Sequence, residues 1–182
     1  MKELSLNILD ITENSVKAKA SLVEISIEEY GDTLTIKITD NGTGMTPETL
    51  KAVRDPFYTT RTTRKVGMGI PLLQFAAEQT GGRVDILSTH IDADKNAHGT
   101  TVIALFYKNH IDFTPLGDVI STVTTLIQGH PDVDFLYRHS VDGATVQLDT
   151  RELRAVLEGV PLDTYEVLLW IKENLEEQYN SI

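Results

Sequence analysis

The chain contains no cysteine, which excludes disulfides, thiol catalysis and zinc-thiolate sites. No segment approaches the roughly 18 consecutive apolar residues that cross a membrane. The N-terminal M-K-E-L-S-L-N holds an acid and an amide where a signal peptide would need an apolar centre. A cytoplasmic soluble protein is the expectation, with no membrane association. Positive charge is scarce in the second half. Residues 1–108 hold 12 Lys and Arg against 14 Asp and Glu, whereas residues 109–182 hold 4 against 13. An acidic half of this kind repels nucleic acid and membrane surfaces, so no nucleic-acid partner is expected.

Against that trend, Arg54, Arg61, Arg64 and Lys65 cluster within one 30-residue stretch, 40–69. The stretch also carries two glycine pairs, Gly42/Gly44 in D-N-G-T-G-M and Gly67/Gly69 in G-M-G. A G-x-G pair lets backbone approach a ligand with no side chain between, and it permits φ > 0. The first pair follows Asp40 at a strand end, and the second leads into a helix. Free N–H groups and the positive dipole end at such a helix start favour an anion. Together these features point to a nucleotide site, with a solvated cationic loop as the simpler reading of the arginines.

Residues 3–20 are expected to form a helix with Leu4, Ile8, Ile11 and Ala18 on one stripe. At about 100° per residue, Asp10, Asn14 and Lys17 fall within roughly a 60° arc beside that stripe. They form either a ligand face or a solvated polar face. Val23, Ile25 and Ile27 alternate, as do Leu34, Ile36 and Ile38, which predicts a hairpin turning at Tyr30–Asp32. Strand parity puts Asp40 on the core face with Ile36 and Ile38. A buried acid there needs a hydrogen-bond donor, from a ligand or from the turn that follows. Thr46 and Pro47 start a short helix, 57–65 reads as a loop or lid, and a helix from Ile70–Pro71 ends at Gly81–Gly82. Strands follow at 83–88 and 100–106.

The 75 or so residues beyond a boundary near 108–112 are expected to form an acidic α+β unit of their own. Its signals are a helix after Pro115, a hairpin at Asp142–Gly143, and capping patterns at Asp149/Glu152 and Asp163/Glu166.

The order of these motifs resembles the GHKL superfamily of gyrase, heat-shock chaperones, histidine kinases and MutL, over roughly residues 1–107. E-N-S-V-K is similar to the family's N box, D-N-G-T-G-M to its first glycine box, and D-P-F-Y-T-T-R to the F box of histidine kinases. G-M-G-I-P-L is similar to the second glycine box and H-G-T-T-V to the closing Gly-Thr strand. The resemblance implies an α+β fold, a two-layer sandwich with helices on one face of a mixed sheet, here with a small α+β C-terminal extension. It implies ATP and Mg²⁺ as cofactors. Asp40 would accept from the adenine amino group. Asn14 would coordinate Mg²⁺, as suits an amide oxygen and a hard ion. Lys17 would neutralise phosphate. Gly42, Gly44 and Met45 would lie at the base, and Thr100 would support that end. Phe57, Thr59, Thr60 and Arg61 would belong to the lid, and Gly67, Met68, Gly69 and Ile70 to the phosphate grip.

Asp10, four residues before Asn14, stands where MutL-type ATPases and anti-sigma serine kinases carry a glutamate general base. Being one methylene shorter, it could act directly, through a water, or only structurally. The five histidines (His90, His98, His110, His130 and His139) have no phospho-acceptor context. No acceptor domain is expected ahead of the N box. The implied function is Mg-ATP binding with γ-phosphate transfer to a partner protein or to water. The alternatives are a MutL-like ATP-dependent switch and an ATP-sensing interaction protein without turnover. The acidic C-terminal part is the expected protein-docking surface, and a homodimer stays open.

Overall fold

The computed structural model describes residues 3–53 and 68–182. Twelve elements are seen among them: α1 (Leu4–Lys17), β1 (Leu22–Tyr30), β2 (Thr33–Asp40), α2 (Pro47–Ala52), α3 (Gly69–Gln79), β3 (Arg83–Thr89), β4 (Gly99–Tyr107), α4 (Val119–Gly129), β5 (Asp134–Val141), β6 (Ala144–Asp149), α5 (Thr150–Leu157) and α6 (Tyr165–Tyr179). The six strands form one sheet in the order β3-β4-β2-β1-β5-β6. All neighbours are antiparallel except β1 and β5, which run parallel. The fold is α+β, a mixed sheet with a helical layer.

Period-2 alternation sends Val23, Ile25 and Ile27 of β1 and Leu34, Ile36 and Ile38 of β2 into the core, with Val84, Ile86, Val102, Ala104 and Phe106 beside them. The helices cover that face in the order α3, α1, α4, α6, with α1 over β1 and β2, α3 over β3 and β4, and α6 over β6. Leu4, Ile8 and Ile11 of α1 are almost fully buried, each worth on the order of 1.5–3 kcal/mol in transfer from water. No helix among the described residues is long and apolar enough to cross a membrane.

Helix ends differ in detail from the sequence expectation. α1 stops at Lys17, three residues short, because Lys19 takes a positive φ of 61°. Pro71 is the third residue of α3, not the first. Its missing N–H falls among the first four orphan donors in either place, so no helical bond is lost. α4 begins at Val119 after an Asp118 cap, so Leu116 precedes the helix and packs on the core from the connection. α6 is capped by Thr164 and not Asp163, with no side-chain cap bond. α2 forms as expected, Thr46 accepting from Thr49 N.

The acidic part expected as a unit from residue 109 adds its strands to the same sheet. β5 pairs in register with β1 from Leu22↔Asp134 to Glu29↔Val141, and Phe135, Tyr137, Val146 and Leu148 join the one core cluster. A polar network closes this seam. Lys108 Nζ reaches Glu29 Oε2 at 2.9 Å, and Glu29 Oε1 lies 3.0 Å from His139 Nε2. His139 Nδ1 lies 2.7 Å from Tyr179 Oη, which is 2.6 Å from Tyr137 Oη. A neutral imidazole satisfies every member: Nε2–H donates to Glu29, Tyr179 donates to Nδ1, and Tyr137 donates to Tyr179.

Burial pushes the His139 pKa down, although Glu29 pulls the other way. Burial alone would raise Glu29, but bonds from Lys108 and His139 leave it lowered. Both shifts make the unfolded chain the better proton acceptor, so stability falls with acid. The loss begins near the unfolded histidine value of about 6.5 and continues below the unfolded glutamate value of about 4.3. Tyr179→Phe leaves His139 Nδ1 and Tyr137 Oη unpaired and is expected to cost about 1–3 kcal/mol for each. Urea unfolding at pH 8 and pH 5.5 checks both expectations.

Candidate functional site

The sheet end carrying β2, β4 and β3 brings two sequence-predicted residues, Asp40 and Thr100, together beside the first glycine turn. Asp40 and Thr100 are cross-strand partners, as are Thr100 and Ser88. Asp40 lies on the core face at 9% exposure. Its carboxylate is hydrogen-bonded on both oxygens. Oδ2 accepts from Ser15 Oγ at 2.6 Å, and Oδ1 accepts from Gly42 N at 2.9 Å and Thr100 N at 3.3 Å. A carboxylate offers about four lone-pair sites. Among the described residues three are occupied, which leaves one acceptor position for a further donor.

The first glycine turn is held from both sides. Thr43 N donates to Ala18 O at 2.8 Å and Ile91 N donates to Thr43 O at 2.8 Å. Met45 N donates to Ser88 Oγ, which also bonds Thr100 Oγ1, each at 2.8 Å. Gly44 has φ +68°, and a β-carbon there would lie 1.9 Å from Thr89 O. Position 44 therefore admits only glycine. Gly44→Ala is expected to cost at least about 2 kcal/mol through strain and displacement of the turn, read by thermal unfolding. A β-carbon on Gly42 would lie 2.8 Å from Ala18 O, so α1 and the turn meet closely there too.

α1 supplies the second half of the site. Its core stripe points Ser15 at Asp40, while Asp10, Asn14 and Lys17 remain exposed on the adjoining face. The start of α3 packs against this face: a methyl on Gly69 would lie 3.2 Å from Asp10 Cβ. That partial burial raises the Asp10 pKa, Lys17 opposes the shift and Glu13 adds to it. Met68 caps α3 and is partly exposed, whereas Ile70 and Met45 pack on the core. Thus Asp40, Gly42, Gly44 and Thr100 form one cluster, and Asp10 and Gly69 adjoin each other. Phe57, Thr59, Thr60, Arg61 and Gly67 lie outside the described residues. No His, Asp and Glu group among the described residues forms a preformed metal cluster.

Sequence reasoning missed Ser15, Ser88 and His98. Ser15 was legible as a small hydroxyl four residues after Ile11, on the apolar stripe. Ser88 shares strand parity with Val84 and Ile86. His98, whose Nδ1 bonds the carbonyl of Gly42, gave no periodic signal because it lies in the β3–β4 loop.

Residues 2–110 match the family model for the histidine kinase-, DNA gyrase B-, and HSP90-like ATPase. The chain belongs to this family. Among curated members, it is similar to the sensor protein kinase FleS of Pseudomonas aeruginosa, 36% identical over 58 residues, which is 31% of this chain and 14% of that one. It is also similar to a putative NtrY-like sensor histidine kinase of Rickettsia conorii, 25% identical over 113 residues, 62% of this chain and 18% of that one. The chain thus spans less than a fifth of these kinases.

Among solved structures, the Aquifex aeolicus MutL ATPase domain complexed with ADP has a TM-score of 0.55 at 15% identity, covering 87% of this chain and 70% of that one. The N-terminal domain of a DNA repair protein has a TM-score of 0.57 at 18% identity, covering 82% and 53%. The family match covers 109 of 182 residues. Likenesses this broad reach past it, so the fold shared with these two structures includes part of the C-terminal region.

Proposed function

We propose that the chain binds Mg-ATP between α1, the first glycine turn and the start of α3, and transfers the γ-phosphate to a partner protein or to water. The observation that carries this reading is Asp40, a buried acid that keeps one acceptor position open among the described residues. The residues fit the ligand. Asp40 reads the base, Thr100 and Gly42 fix its carboxylate, and Lys17 offsets phosphate charge. Asn14 would hold Mg²⁺ through its amide oxygen, together with the phosphates. When bound, Mg²⁺ would neutralise charge developing on the transferred group.

Asp10 stands on the same face as Asn14 and acts on the nucleophile. Its carboxylate takes the proton from an attacking water or hydroxyl as that oxygen bonds to the γ-phosphorus, and the bond to the bridging oxygen breaks to release ADP. The acidic C-terminal part is the protein-docking surface. The outward side of α6 carries exposed Tyr165, Leu169 and Trp170 among Glu166, Glu173 and Glu177, a surface for a basic partner. The chain works in the cytoplasm, where ATP is present.

A second reading, an ATP-dependent conformational switch, is favoured by the grip of the C-terminal part on α1. Leu4 N and Ser5 N donate to Pro115 O and Leu116 O at 2.9 and 2.8 Å, and Glu13 Oε1 lies 2.8 Å from His130 Nε2. Movement at the N-box helix is thereby passed to α4. Calorimetry with Mg-ATP and Mg-GTP, followed by an ADP-release assay on the purified chain, tests the reading. Selective ATP binding supports the site. Steady release of ADP supports turnover, binding without release favours the sensing role, and no binding removes the proposal.

A further inference from the structure

Three consecutive residues, the last of the β3–β4 loop and the first two of β4, touch the Asp40–Gly42 segment at successive points. His98 Nδ1 bonds Gly42 O, a methyl on Gly99 would lie 1.9 Å from Asp40 O, and Thr100 N donates to Asp40 Oδ1 at 3.3 Å. A carbonyl can only accept, so His98 carries its proton on Nδ1. The neighbouring peptides of the turn already have partners: Gly42 N donates to Asp40 Oδ1 at 2.9 Å, and Thr43 O accepts from Ile91 N at 2.8 Å. The Gly42 carbonyl is the point at which a half-buried side chain from the opposite loop fixes the turn.

Gly42 is the softest joint of this segment, since glycine backbone turns more readily than that of any other residue. Its carbonyl shares a peptide plane with Thr43 N–H, which donates to Ala18 O at 2.8 Å, so His98 is the second tie on that plane. Without it the plane tilts about the Ala18 bond and draws the Gly42 α-carbon, and with it the Gly42 N–H, away from Asp40 Oδ1. The carboxylate would then swing about Ser15 and Thr100 and lose its fixed aim. We propose that His98 is a positioning residue for nucleotide selection: it pins the Gly42 carbonyl so that Asp40 keeps one acceptor position aimed at the amino group of an adenine base. This role rests on the ATP reading above. It concerns selectivity more than folding, because the ties at Thr43, Met45 and Asn41 hold the turn in place without it. Asn41 Oδ1, for example, accepts from Ser21 N and Leu22 N at 2.9 and 3.0 Å.

The test uses three variants of the full chain. An asparagine amide places a donor where the histidine Nδ1–H stands, whereas glutamine places one further out and alanine places none. His98→Ala and His98→Gln are expected to weaken Mg-ATP binding roughly three- to tenfold, the value of one net hydrogen bond, and to reduce the ATP-over-GTP preference by a similar factor. His98→Asn is expected to stay within about twofold of wild type on both counts. Amide hydrogen exchange at Gly42, read by NMR without nucleotide, separates the two levels of the argument. It accelerates in His98→Ala and is restored in His98→Asn if the histidine pins the turn. Unchanged Gly42 exchange, or unchanged ATP affinity and base preference in His98→Ala, overturns the positioning role while leaving the ATP site intact. A wild type that binds neither nucleotide overturns the ATP reading and this role with it, even where the exchange pattern holds.

Discussion

Asp40→Asn is expected to weaken Mg-ATP binding about 100-fold and to erase the preference for ATP over GTP, with little change in stability. The fold should tolerate the change because asparagine can satisfy every existing partner. Its Oδ1 accepts from Gly42 N and Thr100 N as the aspartate does. Its Nδ2 then donates to Ser15 Oγ, and the serine hydroxyl turns its proton to Ile11 O, already 3.4 Å away. The ligand side fares differently. Asparagine offers a donor toward an amino group that also donates, and the negative charge is gone. A hydrogen bond to a charged acceptor contributes about 1.5–3 kcal/mol, or roughly 10- to 150-fold. The facing donors add to that loss. Isothermal calorimetry reads the affinity, and a thermal midpoint within about 4 °C of wild type shows an intact fold. Wild-type affinity in this variant would remove Asp40 from the site.

The parts of the molecule legible in the sequence are those written in period and parity. Alternation over β1 and β2 located the hairpin, and parity alone placed Asp40 among Ile36 and Ile38, where it is found buried. Gly44 was legible as a glycine that permits φ > 0, and its φ is +68°. The parallel pairing of β5 with β1 was not legible. No local signal in either strand encodes a partner more than 100 residues away, so the acidic half read as a unit of its own. Its polar contacts carry the same lesson. His139 was one of five histidines without a phospho-acceptor context, and only the pairing of Ile27 with His139 brings it to Glu29. In the site, Ser15 was hidden by its neighbour Asn14, whose exposed face drew the functional reading, although the serine is the side chain that touches Asp40.

On the proposed reading, these placements give the parts of the site different tasks. The Asp40 cluster is rigid, since sheet register, backbone donors and two serines fix it before any ligand arrives. Asp10, Asn14 and Lys17 share only a helix face, and their alignment depends on where α1 sits between α3 and α4. Base recognition should therefore survive changes in the C-terminal part, whereas turnover should respond to them through the Glu13–His130 and Ser5–Leu116 contacts.

Asp10→Asn separates the two tasks most sharply. It is expected to leave Mg-ATP affinity within a few fold while lowering the rate of ADP release by about 10²–10⁴, the usual contribution of a general base. Asparagine keeps the volume and polarity of the side chain beside Gly69 and has no proton-accepting carboxylate. The pH profile supplies an independent sign. Partial burial raises the Asp10 pKa, with Lys17 opposing and Glu13 adding. As a general base Asp10 would act in its ionised form, so wild-type kcat is expected to fall as pH drops through that raised value, above the ordinary aspartate value near 3.9. In Asp10→Asn this acid limb disappears from the residual rate. Equal loss of binding and turnover would instead make Asp10 part of the metal or phosphate grip. An unchanged rate with an unchanged acid limb would mean that another group takes the proton.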